Sequence, residues 1–207
     1  MDRLKQEEMT IIKHRFRNHE INQETETLII GTFNPDTPEN VADFFYSRQR
    51  NFLWTLVPKA FGDESLKGKT REEKISYVKK RNIDFIDLIS EVDVDESSNY
   101  DDNYLDSRVT TWRNVTVEIK RLKKLNKVCF SRKSFSGIPI MKERIESIRL
   151  CCEQWGIHFE YLTTPARFYR EDKQDEWTRF LNGTKGIRFE RFTSDGSDIT
   201  IIKKDDN

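Results

Sequence analysis

Cysteine is scarce in this chain of 207 residues, which has only Cys129, Cys151 and Cys152. An odd number with two adjacent thiols argues against a paired disulfide framework. No zinc spacing exists, and three thiols cannot complete a four-cysteine iron–sulfur site. The thiols are expected reduced, as in a cytoplasm, with Cys129 filling core. Net charge is also lacking: 36 Lys and Arg balance 36 Asp and Glu. That argues against a general polyanion binder, while leaving room for a local basic face. No apolar run approaches membrane-spanning length, and the polar stretch Met1–Glu8 does not read as a signal peptide. The three histidines, His14, His19 and His158, are scattered, and none is placed like the base of a nucleophile. No repeat or low-complexity segment is present. The expectation is a monomer with no metal, no cofactor and no membrane.

What is present is aromatic. Phe, Trp and Tyr make up 12% of a chain that is 35% charged, which favours a packed globule over disorder. The pattern predicts a single domain over 1–207, with an N-terminal arm or helix over 1–25 and a hairpin over 187–203 turned by Ser194–Ser197. Apolar runs predict strands at Thr27–Gly31, Ile83–Ile89, Lys127–Ser131 and Ile157–Leu162. Helical spacing predicts helices at Phe52–Phe61, Thr70–Arg81, Thr111–Leu125, Ile140–Trp155 and Asp172–Leu181. Thr70 with Glu73 forms a capping box, and Gly156 closes the fourth helix. Glu91–Asp106 reads as an acidic loop. Strands alternating with helices predict an α/β fold, a three-layer α/β/α sandwich on a mainly parallel four-stranded sheet.

Open parallel sheets bind ligands beyond the carboxyl ends of their strands. Three informative segments fall there: Gly31-Thr32-Phe33-Asn34-Pro35, Asp87-Leu88-Ile89-Ser90, and Thr163-Thr164-Pro165-Ala166-Arg167. A further cluster, Phe44-Phe45-Tyr46-Ser47-Arg48-Gln49-Arg50-Asn51-Phe52-Leu53-Trp54, adds rings, cations and an amide before a helix. Stacking rings, amides that read a base edge and cations that hold phosphate are what a nucleobase pocket needs. Each segment also has a plain structural reading. Gly31 and Pro35 can simply shape a loop, Asn51 can cap a helix, Asn34 can serve a turn, and Asp87 can accept backbone amides. Phe44, Phe45 and Trp54 read best as core. The basic run from Lys59 to Arg81 is by default a solvated helix face, with phosphate contact as the alternative.

Leu28-Ile29-Ile30-Gly31-Thr32-Phe33 resembles the first motif of hypoxanthine-type (deoxyinosine) DNA glycosylases, within the uracil-DNA glycosylase superfamily. Tyr46 to Trp54 is similar to the Asn-aromatic-Trp segment of those enzymes and of mismatch-specific uracil glycosylases. Asn82–Ile89 resembles their next block, and Leu162–Ala166 their second Ser/Thr-rich motif. The blocks keep family order across residues 27–170. There are departures. Gly31 stands three residues before Asn34 rather than two, Asp36 replaces a glycine, and Arg167 stands where a small or apolar residue is expected. The strand Lys127–Ser131 also runs into Arg132 rather than an Asn-Gly turn.

The resemblance implies a monofunctional DNA base-excision glycosylase that flips out a deaminated base, uracil or hypoxanthine, and hydrolyses its N-glycosidic bond. The DNA partner would contain the damaged base. Asn51, by the hypoxanthine-type likeness, or Asn34, by the mismatch-specific one, would be catalytic. Thr32, Phe33, Tyr46 and Asp87 would bind the base. Arg48, Arg50, Thr163, Thr164, Pro165, Ala166 and Arg167 would contact DNA. The competing readings are a catalytically inactive relative that binds nucleic acid or a nucleotide, and an enzyme acting on a free nucleoside.

Overall fold

The computed structural model describes residues 10–95, 100–183, 186, 189–192 and 200–203. A short strand, β1 (Thr10–Lys13), precedes the central strand β2 (Thr27–Gly31). Helices α1 (Leu53–Ala60) and α2 (Arg71–Lys80) follow. The chain then forms β3 (Ile83–Asp87), β4 (Ile89–Val94), a single turn α3 (Asp102–Leu105) and β5 (Val109–Trp112). It continues through α4 (Val115–Arg121), β6 (Lys127–Phe130), α5 (Pro139–Gln154), β7 (His158–Tyr161) and α6 (Glu171–Asn182). It ends in the antiparallel pair β8 (Phe189–Phe192) and β9 (Thr200–Lys203). The expected turn at 194–197 and the first part of the N-terminal arm lie outside the described residues. No described helix is long and apolar enough to cross a membrane.

Four strands form a wholly parallel sheet in the order β3-β2-β6-β7. Successive side chains on a strand point to opposite faces, so β2 feeds two cores. Leu28 and Ile30 join Val128, Phe130 and Ile86 on one side. Ile29 joins Phe85 and Cys129 on the other. The first core is closed by Val115 and Ile119 of α4, Met141, Ile145, Ile148 and Cys152 of α5, and Ile89, Val92 and Val94 of β4. The second is closed by α1, by Val78 of α2, by Trp177 and Phe180 of α6, and by Phe44 and Phe45. The result is the expected three-layer α/β sandwich.

Where local signals were complete, the expected elements form. Thr70 caps α2 in a reciprocal capping box with Glu73. Gly156 takes φ +66° just past α5, a conformation that favours glycine. Val115, Ile119 and Leu122 are buried as the helical spacing required, whereas Val117 is exposed.

Four expectations are corrected. The N-terminal segment contributes a strand, because β1 pairs antiparallel with β4. The run Ile83–Ile89 is two strands, parted at Leu88, whose N–H bonds Gly31 at 3.0 Å. The acidic loop over 91–106 contains most of β4 and all of α3. In β4, Val92 and Val94 point into the core while Glu91 and Asp93 alternate with them, a period-two pattern masked by its charge. The helix expected over 111–125 begins only at Val115, because Val109–Trp112 pairs with β4. Together β1, β4 and β5 form a three-stranded antiparallel sheet that lies over the first core.

Candidate functional site

The parallel sheet brings the ends of β3, β2, β6 and β7 to one edge. Asp87, Gly31, Ser131 and Thr163 stand there in that order. Strand order reverses between β2 and β6, which makes this the crevice of an open α/β sheet.

Gly31 is the floor. A Cβ built on it would collide with Asp87 Oδ1 and lie 2.7 Å from the Tyr46 hydroxyl. The absent side chain is therefore what lets a carboxylate oxygen and a phenol converge over the strand end. Tyr46 reaches this point from a left-handed backbone, φ +56°, a strained conformation for a bulky residue. Its hydroxyl lies 3.0 Å from Ser131 Oγ and its ring 5.8 Å from Phe85. Burial pushes the Tyr46 phenol well above its ordinary range and the Asp87 charge adds to this, so the phenol keeps its proton.

Asp87 is 6% exposed. Its Oδ2 lies 2.6 Å from Nε2 of His14, a side chain with no exposed surface. The Phe16 N–H donates to His14 Nδ1 at 3.0 Å. Nδ1 therefore carries a lone pair, and the ring proton sits on Nε2, facing Asp87. No described residue donates to Asp87 Oδ1. Two guanidinium groups feel the Asp87 charge. Partial desolvation lowers the pKa of the half-buried Arg113 and of Arg48, whose side chain is otherwise open to solvent, and Asp87 opposes that lowering in both.

Beyond Gly31, Thr32 bonds Asp102, which pairs with Arg132. Burial pushes the Asp102 carboxyl up; Thr32 and Arg132 pull it back. Phe33 is half-buried and sits 5.8 Å from the His14 ring and 6.3 Å from Tyr100. Asn34 is buried, and its side-chain oxygen accepts a hydrogen bond from Asn40.

The rim comes from two loops joined by backbone. Asn51 and Ala166 form an antiparallel bridge. The Phe52 N–H donates to the Pro165 carbonyl at 2.9 Å and the Arg167 N–H to the Arg50 carbonyl at 2.8 Å. Asn51 Oδ1 accepts from the Leu53 N–H at 3.0 Å, so its amide oxygen serves the start of α1. Helix α6 braces the same loop. Lys173 Nζ donates to the carbonyls of Ala166 and Phe168 at 3.1 and 2.7 Å, and Trp177 Nε1 to that of Thr163 at 3.0 Å. The Ala166 N–H donates to Thr164 Oγ1 at 3.3 Å. Arg48, Arg50, Thr164 and Arg167 are exposed. Phe168 is 64% exposed, with the Arg50 guanidinium 6.0 Å from its ring centre. Arg167 is left-handed, φ +75°. It forms no ion pair with Glu171, which accepts instead from the Tyr169 hydroxyl.

The expected site residues thus fall into two groups. Gly31, Thr32, Tyr46 and Asp87 form the floor; Asn51 and the 163–167 loop form the rim. All lie at one sheet edge, although no hydrogen bond joins Asn51 to Asp87 or Tyr46. The basic run from Lys59 to Arg81 is mostly exposed, as a solvated helix face would be, although several of its members have partners within the protein. Lys74 is buried against Asp43 and Ser47, Arg81 pairs with Asp63, and Lys59 and Lys67 lie over Tyr169 and Phe52. His14, Ser131, Asp102 and Arg132 were not anticipated. His14 reaches Asp87 only because β1 joins the second sheet, which no local pattern announces.

Two surface cavities of about 600 and 630 Å³ open beside His19; neither is lined by Asp87, Tyr46 or Asn51. Their walls mix both signs of charge. Among the described residues no group of histidine, cysteine or carboxylate side chains is arranged to hold a metal ion.

The fold is similar to the solution NMR structure of a protein from Methanosarcina acetivorans described as a candidate uracil DNA glycosylase. The TM-score is 0.54 at 20% identity, over 78% of this chain and 91% of that one. At that identity the likeness speaks for the fold. No family model and no curated protein matches the chain.

Proposed function

We propose that this protein is a monofunctional DNA glycosylase that extrudes a deaminated base, uracil or hypoxanthine, and hydrolyses its N-glycosidic bond. One observation carries the reading: Asp87 Oδ1 and the Tyr46 hydroxyl converge over the side-chain-free Gly31, at the switch point of a parallel sheet. That is a small polar socket able to read a base edge. Thr32, Phe33, Tyr46 and Asp87 would hold the base.

Bond cleavage builds negative charge on the leaving base and positive charge on the sugar. The protonated Tyr46 phenol is a suitable donor to the former. Asn51 or Asn34 would position water. The rim of Arg48, Arg50 and Thr163–Arg167 would take the backbone, since phosphate contacts position nucleic acid without reading its sequence. The test is incubation with oligonucleotides bearing a single uracil, hypoxanthine or xanthine, followed by alkali. Strand breaks at the modified base support the reading, and intact strands with all three overturn it.

A second reading is favoured by the two amides themselves. The side-chain oxygen of Asn34 is taken by Asn40 and that of Asn51 by the Leu53 N–H. A protein whose amides serve turns would bind a base or nucleotide in the same socket without cleaving. Retention of the modified oligonucleotides without breaks selects it.

A further inference from the structure

His14 is the one histidine at the sheet edge that carries the socket, and the role proposed above for the base site leaves it unused. Its ring is enclosed, 5.8 to 6.0 Å from Phe16, Phe33 and Phe45. It cannot touch a substrate. Both its nitrogens are committed: Nδ1 accepts from the Phe16 backbone and Nε2–H faces Asp87 Oδ2. The ring therefore has one orientation and one tautomer.

The consequence falls on Asp87. A carboxyl group can present either an oxygen lone pair or an O–H to a ligand. The fixed N–H of His14 engages Oδ2 and turns the carboxylate so that Oδ1 faces the socket with its lone pairs. Its Oδ1, over Gly31, is then an acceptor only.

We propose that His14 is a specificity-determining positioning residue: by locking Asp87 as an obligate acceptor over Gly31, it makes the socket select bases with an N–H on the pairing edge. This rests on the base site proposed above and names the chemical feature that the site reads. Deamination creates that feature. Adenine N1 and cytosine N3 are lone pairs; hypoxanthine N1 and uracil N3 carry hydrogen. A lactam N–H donates to Oδ1, whereas adenine or cytosine sets lone pair against lone pair. Guanine also has an N1–H and is not rejected by this contact.

The test uses free bases and the full chain, so it does not depend on cleavage. Hypoxanthine, adenine, uracil and cytosine are titrated while amide resonances near Gly31 and Asp87 are followed. Each lactam base should bind roughly tenfold to a hundredfold tighter than its amino counterpart, the usual effect of leaving a desolvated acceptor without a donor. His14→Phe keeps a ring but removes the donor, and should bring that ratio towards one. His14→Gln can restore an N–H near the Nε2 position and should retain it. Asp87→Asn, whose amide offers either a donor or an acceptor, should admit adenine. In the parent chain, nitrogen shifts of His14 should report a proton on Nε2, a measurement that stands even if a variant fails to fold.

Equal binding of all four bases, or no binding of any at millimolar concentration, overturns the proposal. So does an unchanged ratio in a folded His14→Phe. The glycosylase reading fails separately. If oligonucleotides stay intact while the base ratio holds, catalysis is wrong and the selection stands. If adenine and hypoxanthine are excised alike, catalysis stands and the selection is wrong.

Discussion

Strand β3 holds two histidine–aspartate pairs three residues apart, and they differ in what the second carboxylate oxygen does. His19 meets Asp84 at 2.6 Å and His14 meets Asp87 at the same distance. Asp84 Oδ1 also accepts from the Phe85 N–H, and its Oδ2 accepts from the Asn22 N–H at 2.9 Å. Both oxygens of that carboxylate are used, and they pin the segment carrying His19 and Asn22 against β3. Asp87 has one oxygen on His14 and the other over Gly31 with no described donor. The same two residue types make a fastener at the second residue of the strand and, at its last residue, leave one oxygen facing the crevice. Position along the strand decides, because only the carboxyl end of a parallel sheet opens into a crevice.

The sharpest way to break this contrast is to fill the space over Gly31. Gly31→Ala drives a Cβ into Asp87 Oδ1 and against the Tyr46 hydroxyl. Single-turnover excision should fall by roughly two to three orders of magnitude, the usual scale for displacing a group that meets the transition state. Overpacking should cost about 1–3 kcal/mol of stability. Excision at the parental rate by a folded Gly31→Ala would remove the socket from the reaction.

Asn51→Ala tests the rim at a similar kinetic scale. If Asn51 positions water, excision should drop by roughly two orders of magnitude. Loss of the Oδ1 bond to the Leu53 N–H should lower stability by about 1 kcal/mol. A stability loss with unchanged excision assigns Asn51 to the turn alone and moves the test to Asn34→Ala.

Asp84→Ala is the counterpart on the fastener. It strands His19 and two backbone N–H groups at once, so urea unfolding should show a loss of about 1–3 kcal/mol. Excision per folded molecule should stay within about twofold, below the resolution at which a catalytic contribution is normally inferred. A large kinetic defect there would show that the two pairs are one network rather than two devices.

These contrasts also mark how far the sequence could be read. The parallel sheet was legible because β2 and β6 carry short apolar runs and β3 and β7 fall in the same alternation of strand and helix, and the capping box at Thr70 marked its own helix. The second sheet was not, since β4 alternates valine with acid and β1 holds only four residues. Their pairing is a tertiary fact that propensity does not encode. The site divides the same way. Gly31 and Asp87 stood out as strand-end residues, and Tyr46 as a ring in the cluster that precedes α1. His14 did not, being 73 residues from its partner. Ser131 and Asp102 were hidden for a like reason: each gains meaning only from Tyr46 or Thr32, which other loops deliver.

The smallest effects belong to Arg167, which separates rim from floor. Its side chain is exposed and its backbone holds φ +75°, which a glycine adopts without strain. Arg167→Ala and Arg167→Gly both delete the cation. If it meets a phosphate, each should reduce the slope of log affinity against log salt by about one. The two variants should differ in stability, because alanine keeps the left-handed strain of about 1–2 kcal/mol and glycine releases it. Glycine also frees the unfolded chain, by about 0.5–1 kcal/mol, so its net advantage over alanine should be under about 1 kcal/mol. Salt titrations of DNA binding read the first effect and urea midpoints the second. An unchanged salt slope in both variants would return Arg167 to the surface. It would leave Arg48, held near Asp87, as the cation through which the floor and the DNA backbone meet.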